Sequence, residues 1–487
     1  TLFPQSLPSA LRCVLALALL CSLPAAAADF PSDAIPYSRQ DQYADLGVRW
    51  MQEYLRVDTT NPPGNEARAA EFFRKIFEQE GIEHRVFEVA PGRANLWARL
   101  KGSWARRPLI LLNHTDVVTS DPARWKAPPF SGEIVEGAMY GRGVQDMKNL
   151  GLAQLVVMVM LKREQVPLER DVIFLATADE EAGGDGTDWM IAHQRELLGN
   201  AEFLITEGGS NRIEDGKVKH VGIDVAEKAT FWLKVTAHGT PGHGSRPIVN
   251  SAPDRLVRAL NRILNHRTQL KLLPVVEEYL REMARFEPEE RARKFRNARQ
   301  FLSDKRFRAD LERDYFIGPM LRNTISLTML GGSQQTNVIP GEAWAHLDVR
   351  LLPGEDPDAF LAEMRRVVND ANLSIEPQQG QFRIANASPT DTQLYGAIRQ
   401  VAGRYFPDAV VAPRLTTGYT ESQRYRPLGI VSYGFAVHGA TAEESATAHG
   451  DNERIRVEEL RRGHRVLYDV VVAVAGAAKS QPAPPSK

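Results

Sequence analysis

At 487 residues the chain is too long for one ordinary core and calls for two or more domains, while 43% hydrophobic and 25% charged residues can support burial along most of its length. The balance of 60 Lys and Arg against 61 Asp and Glu leaves a formal charge of -1, which excludes a general attraction to nucleic acid or to anionic membranes. Any charged ligand must be caught locally.

The N-terminal segment departs from this average. Arg12, an apolar run from Val14 to Leu23, then Pro24 and the small residues Ala25 to Ala28 read as a secretory signal over residues 1–28. The run is too short to span a bilayer, so the expectation is a secreted or periplasmic protein with no stable membrane anchor. Both cysteines, Cys13 and Cys21, lie in this segment, which leaves the mature chain without thiol chemistry.

Leu46, Trp50 and Tyr54 then recur at helical spacing, "DTTNPPGNE" breaks the pattern, and Phe72, Phe73, Ile76 and Phe77 mark a second helix ending at Gly81. Extended segments follow in "EHRVFEV", "NLWARL" and "PLILLNHTD", then an apolar helix from about Leu150 to Leu161, then strands in "DVIFLATADEE" and "AEFLITEGG". Strands alternating with helices predict an α/β fold with a mixed, mostly parallel sheet covered on both faces.

The texture changes near Glu227. From there the order is strand "ATFWLKVTAHG", helix "SAPDRLVRALNRIL", strands "NTISLTMLGG" and "EAWAHLDVRLLP", helix "DPDAFLAEMRRVV" and strand "LSIEPQQG". This βαββαβ order predicts an inserted ferredoxin-like α+β domain over 227–384, with the catalytic domain built from 29–226 and 385–478 and a disordered tail at 479–487. The charged stretch Glu277 to Arg313 reads as a solvated helical excursion within the insert.

In an α/β sheet ligands gather beyond the carboxyl ends of the strands. "LILLNHTD" ends in His114 and Asp116, "VIFLATADEE" in Asp179, Glu180 and Glu181, and "FLITEGG" in Glu207. "GRGVQDMKN" places Asp146 after a glycine-rich turn, and "TAHGDNE" places His449 before Asp451 and Glu453. Taken singly, a histidine at a strand end is more often a hydrogen-bonded structural residue than a ligand, and an aspartate after a glycine turn is more often a helix cap. Together they supply imidazole and carboxylate without thiolate, the set expected of Zn²⁺ or a similar divalent ion in a hydrolytic site. "GRGVQD" is one residue short of a dinucleotide fingerprint, no phosphate loop is present, and "GHGSR" is not a serine-hydrolase elbow.

The ordered strings "HTDVV", "GRGVQDMK", "ADEEAGG", "TEGG", "PGHGSRP", "NVIPGEAWAHLDVRLLPG" and "AHGDNE" resemble the dinuclear zinc metallopeptidase and aminoacylase family, which includes succinyl-diaminopimelate desuccinylase, glutamate carboxypeptidase and carboxypeptidase S. The resemblance runs from about Asp58 to Ala478. It implies two divalent ions, Zn²⁺ first with Co²⁺ or Mn²⁺ as alternatives, bridged by Asp146, with His114 and Glu207 on one and Glu181 and His449 on the other. It further implies Glu180 as general base, Asp116 as the partner that fixes the His114 tautomer, and His243 as an oxyanion donor from the insert, or lid, of a second subunit. Arg350 and Asn337 correspond to positions that hold a substrate carboxylate. The adjacent glutamates would divide the labour, since side chains alternate along extended backbone. The expected activity is hydrolysis of short peptides or N-acyl amino acids with a free carboxylate, the alternative being an aminoacylase for fatty or aromatic acyl groups, in a homodimer formed through the lid. A homologue that keeps the fold but has lost its metal is opposed by the full ligand set.

Overall fold

The computed structural model describes residues 30–378 and 385–477. The signal-like segment 1–28, the end of the expected insert at 384, and residue 478 with the tail 479–487 lie outside the described residues.

A large sheet of 10 strands forms the first body. Its centre is parallel: Leu109–His114 lies between Val172–Thr177 and Phe203–Thr206, and Val431–Phe435 continues beside Phe203–Thr206. Antiparallel strands flank it, Glu83–Ala90 and Arg93–Leu100 on one side and Lys217–Glu227 with Ser210–Glu214 on the other, where Val410–Thr416 and Gly439–Ala440 add parallel pairs. The α/β expectation holds, and the alternation of side chains shows why. Leu109, Leu111, Phe174 and Ile205 join the core on one face, while Ile110, Leu112, Ile173, Leu175 and Leu204 join a second core on the other. Helix Lys148–Arg163 is buried nearly all round, because helices Tyr37–Leu55 and Val457–Ala475 pack against it on the side away from the sheet.

Between residues 229 and 377 a second, antiparallel sheet of 5 strands forms. Its strands Leu233–His238, Thr324–Gly331, Glu342–Leu351 and Leu373–Pro377 lie in the spatial order fourth, first, third, second, with helices Ala252–Asn265 and Pro357–Val368 packed together. The expected strand "ATFWLKVTAHG" is one line in two pieces: Ala229–Thr230 and Leu233–His238 pair with the same neighbour, Glu342–Leu351. Helix Ala252–Asn265 starts sharply because Ser251 and Asp254 form a reciprocal capping box and Pro253 sits in the first turn. Its Leu256, Ala259, Leu260 and Ile263 then turn one apolar stripe to the sheet.

The charged stretch 277–313 departs from expectation. It forms helices Pro274–Met283, Glu289–Arg296, Ala298–Phe301 and Lys305–Arg313, as a helical reading requires. Yet Val276, Leu280, Phe295, Phe307 and Leu311 are buried in the core of the first body, where Pro274–Met283 packs on strand Val410–Thr416. The physical reason is amphipathicity: the charges line the outer face and the sparse Leu and Phe residues share an inner one. It is a packed layer rather than a solvated excursion.

Candidate metal centre

The parallel pairing brings three of the sequence segments to one edge. His114 is in register with Thr177, so the residues after Val172–Thr177 and Phe203–Thr206 emerge beside the end of Leu109–His114. Asp146 stands just before helix Lys148–Arg163, and strand Arg454–Arg456 pairs with Ala138–Tyr140, which brings the preceding His449 to the turn that carries Asp146. Five side chains separated by more than 300 positions therefore meet.

They meet as two groups with one shared member. His114 Nε2 lies 3.2 Å from Asp146 Oδ1 and 3.5 Å from Glu207 Oε2. His449 Nε2 lies 3.0 Å from Asp146 Oδ2 and 3.2 Å from Glu181 Oε1. Each oxygen of Asp146 thus faces one group, the geometry of a bridging carboxylate. Ligand atoms about 2.1 Å from a tetrahedral ion sit about 3.4 Å apart, so these separations fit a divalent cation in each group. The donor set fits Zn²⁺ as well, with two imidazole nitrogens, carboxylates and no thiolate.

Asp116 meets His114 Nδ1 through two of its oxygens. Its backbone carbonyl, 3.1 Å from His114 Nδ1, is closer than its carboxylate, whose Oδ1 is 3.5 Å away. A carbonyl only accepts, so Nδ1 carries a proton, and in the neutral ring that a cation requires, the lone pair is left on Nε2, on the side of Asp146 and Glu207. The Asp116 carboxylate also accepts the backbone N–H groups of Glu180 at 3.1 Å and Glu181 at 3.0 Å, and Asn61 Nδ2 at 2.9 Å. The two glutamates are accordingly not in extended backbone. They sit in a turn opened by Asp179 at φ +69°, and the buried Asp116 fixes how each leaves it.

The electrostatics are those of crowded acids awaiting positive charge. Burial pushes the Glu180 carboxyl well above its usual range, with Glu207 and Glu181 adding to the shift. Burial likewise pushes Glu207 up, to about 8, against the pull of His114. Burial alone would lower His114, but the carboxylates of Glu207, Asp116 and Asp146 raise it well above the ordinary imidazole value. Hydrogen bonds to Asp146 and Glu181 raise His449 to about 10. Burial opposes ionisation of Asp146, yet His114 and His449 hold it well below the carboxylate range.

A model of peptidase family M20/M25/M40 matches residues 110–473, a span that holds all five side chains and Glu180. The chain belongs to that family. It is therefore a hydrolase of the metallopeptidase and aminoacylase type. Rat aminoacylase-1A is 26% identical over 438 residues, covering 88% of this chain and 95% of the rat protein. Bovine N-fatty-acyl-amino acid synthase/hydrolase PM20D1 is 28% identical over 431 residues, covering 83% and 82%. Among solved structures, an M20 family metallo-carboxypeptidase from Sulfolobus solfataricus superposes with a TM-score of 0.67 at 18% identity, covering 87% of this chain and 98% of its own. Human carnosine dipeptidase 1 gives 0.62 at 15%, covering 90% and 98%.

Of three further expected site residues of this M20 chain, Arg350 lies on the second sheet, and His243 and Asn337 lie at a separate two-stranded ribbon. His243 is exposed on a two-stranded ribbon in which Gly242–His243 pairs with Val338–Ile339, and the adjacent Asn337 accepts the Gly244 N–H at 2.8 Å. The Nδ1 of His243 accepts the Ser245 backbone N–H at 3.1 Å, so the neutral ring carries its proton on Nε2, free to donate outward. Arg350 is engaged locally, its Nε 2.7 Å from Asp348 and its Nη1 donating to Thr230 at 3.0 Å. His238 pairs loosely with Glu342 at 3.8 Å, in keeping with a strand-end residue.

Several supporting residues escape a reading of the sequence. Asn61, in the segment read only as a helix break, links Asp116 and Asp179 through Nδ2, each at 2.9 Å. Glu421 is buried and accepts the hydroxyls of Thr177 at 2.9 Å and of Thr187, one on each side of the acidic turn.

Proposed function

We propose that the chain is an exported amide hydrolase with two divalent ions, most simply Zn²⁺, that releases an amino acid bearing a free carboxylate from an N-acyl amino acid or a short peptide. The observation that carries this reading is the pair of ligand groups sharing Asp146 with Glu180 next to one of them. Bound ions would polarise the scissile carbonyl and acidify a water. Glu180 takes the proton of the attacking water and delivers it to the leaving amine, a cycle suited to a carboxyl whose proton affinity is raised. Asp116 holds the Glu180 backbone while this happens, and the Nε2–H of His243 stabilises the developing oxyanion.

His243 would act in a second copy of the chain. An edge strand supports this: among the described residues Thr324–Gly331 pairs only with Glu342–Leu351, it exposes Met329 and Leu330, and the helix Ala252–Asn265 exposes Val257 and Leu264. Arg350 and Asn337 would hold the substrate carboxylate, Arg350 after leaving Asp348. Export rests on residues 1–28 alone; among the described residues no helix is long and apolar enough to cross a membrane.

The likeness to aminoacylase-1 and PM20D1 favours N-acyl amino acids, including fatty acyl chains, while the fold neighbours keep a dipeptidase as the second reading. A panel of N-acetyl, N-fatty-acyl and dipeptide substrates, run after chelation and again with zinc or cobalt added, tests both. Metal-restored turnover on the acylated compounds is expected. Hydrolysis that survives chelation, or none on any substrate in the panel, would reject the proposal.

A further inference from the structure

Glu453 has no task in the chemistry above, yet it is fully buried and its carboxylate collects four donors. They are the backbone N–H groups of Gly143 at 2.9 Å, Gln145 at 2.7 Å and Asp146 at 3.2 Å, and Nη1 of Arg142 at 2.7 Å. All four belong to the turn that ends in Asp146. Glu453 itself follows His449 in the same loop.

Other bonds run between the same two segments. Arg142 Nη2 donates to the carbonyl of Gly450, the neighbour of His449, at 2.9 Å. Gln145 Nε2 donates to the Thr447 hydroxyl and the Arg454 carbonyl, both at 3.0 Å. His449 needs such support. Its side chain is 50% exposed, so packing does not hold it, and its backbone at φ +59° occupies a region that L-residues seldom adopt. By contrast, His114 is completely buried at a strand end.

We propose that Glu453 is a positioning residue that fastens the His449 loop to the Asp146 turn and so sets the affinity of the ion held by Asp146, Glu181 and His449, leaving the ion held by His114, Asp146 and Glu207 much less affected. A carboxylate suits this place because it accepts at several lone pairs at once, whereas an amide presents N–H groups to N–H donors. The inference rests on the two-ion reading of the site.

The test counts zinc. Metal-depleted full chain is dialysed against buffered Zn²⁺ and bound ions are measured by elemental analysis, with folding followed by circular dichroism. Two ions per wild-type chain are expected. Glu453→Gln should keep one where wild type keeps two, its weaker dissociation constant raised about 10- to 100-fold. Glu453→Asp, which keeps the charge but shortens its reach to the Asp146 turn, should show the same selective loss at about tenfold and decides the matter alone if Glu453→Gln does not fold. Folded variants that bind both ions with wild-type constants, or that lose both equally, overturn the tether. A wild-type chain that never binds a second ion overturns the two-ion reading instead, and the tether falls with it.

Discussion

The edge of the large sheet and the separate two-stranded ribbon hold the two halves of the expected chemistry, and they are built on opposite plans. At the edge, His114, Asp116 and Asn61 are buried and cross-bonded, so ligand positions are fixed before anything binds. On the ribbon, His243 is exposed and its bonded partner is Ser245, two residues away. On the proposed reading, the difference teaches that the candidate metal ligands sit in a buried, cross-bonded frame, whereas the proposed oxyanion donor has only its tautomer set and would be delivered by a change of position or by another copy.

Removing the base strikes the prearranged half hardest. Glu180→Gln should retain both ions by elemental analysis and lose about 10³-fold or more in kcat, and near-normal turnover would remove Glu180 from the chemistry. The delivered half comes next. His243→Ala should lose about 10²-fold in kcat, with partial recovery when mixed dimers are formed with Glu180→Gln; verified mixed dimers without recovery would place the donor within one chain.

A smaller effect probes the charges around the ions. Without cations His114 and His449 hold protons at neutral pH, because the neighbouring carboxylates outweigh burial at His114 and raise His449 to about 10. A cation needs the neutral imidazoles, so loading releases protons, and affinity should fall about tenfold per pH unit for each proton displaced as the solution is acidified. Calorimetry in buffers of different ionisation enthalpy measures that release, and affinity independent of pH would contradict it. The smallest expected effect is at Arg350, already bonded to Asp348: Arg350→Lys should raise KM about threefold for carboxylate substrates and leave amide-capped analogues unchanged.

The meeting of the candidate ligands was legible because strand ends in a parallel sheet converge by topology, and the segments ending in His114, Glu181 and Glu207 carry that topology in their apolar runs. Only half of the work of Asp116 was legible, since residue type does not say that a carboxylate near an imidazole also catches two backbone N–H groups while its own backbone carbonyl accepts from the ring. Nor was the placement of 277–313. Its charge swamps the sparse periodic Leu and Phe, and nothing local says that their stripe belongs to the first body rather than to the βαββαβ unit in which the chain has embedded it.

That embedding makes the helical layer a strap. It leaves the small sheet after Asn265 and re-enters it at Thr324, yet is anchored throughout by apolar burial in the large body. Lys228 rivets its far end, donating to the carbonyls of Pro319 and Arg322 and to the Thr324 hydroxyl. A swing of the small sheet that spares this burial must turn about a few residues at each end of the strap, so its arc is short and its direction is set by where the chain crosses.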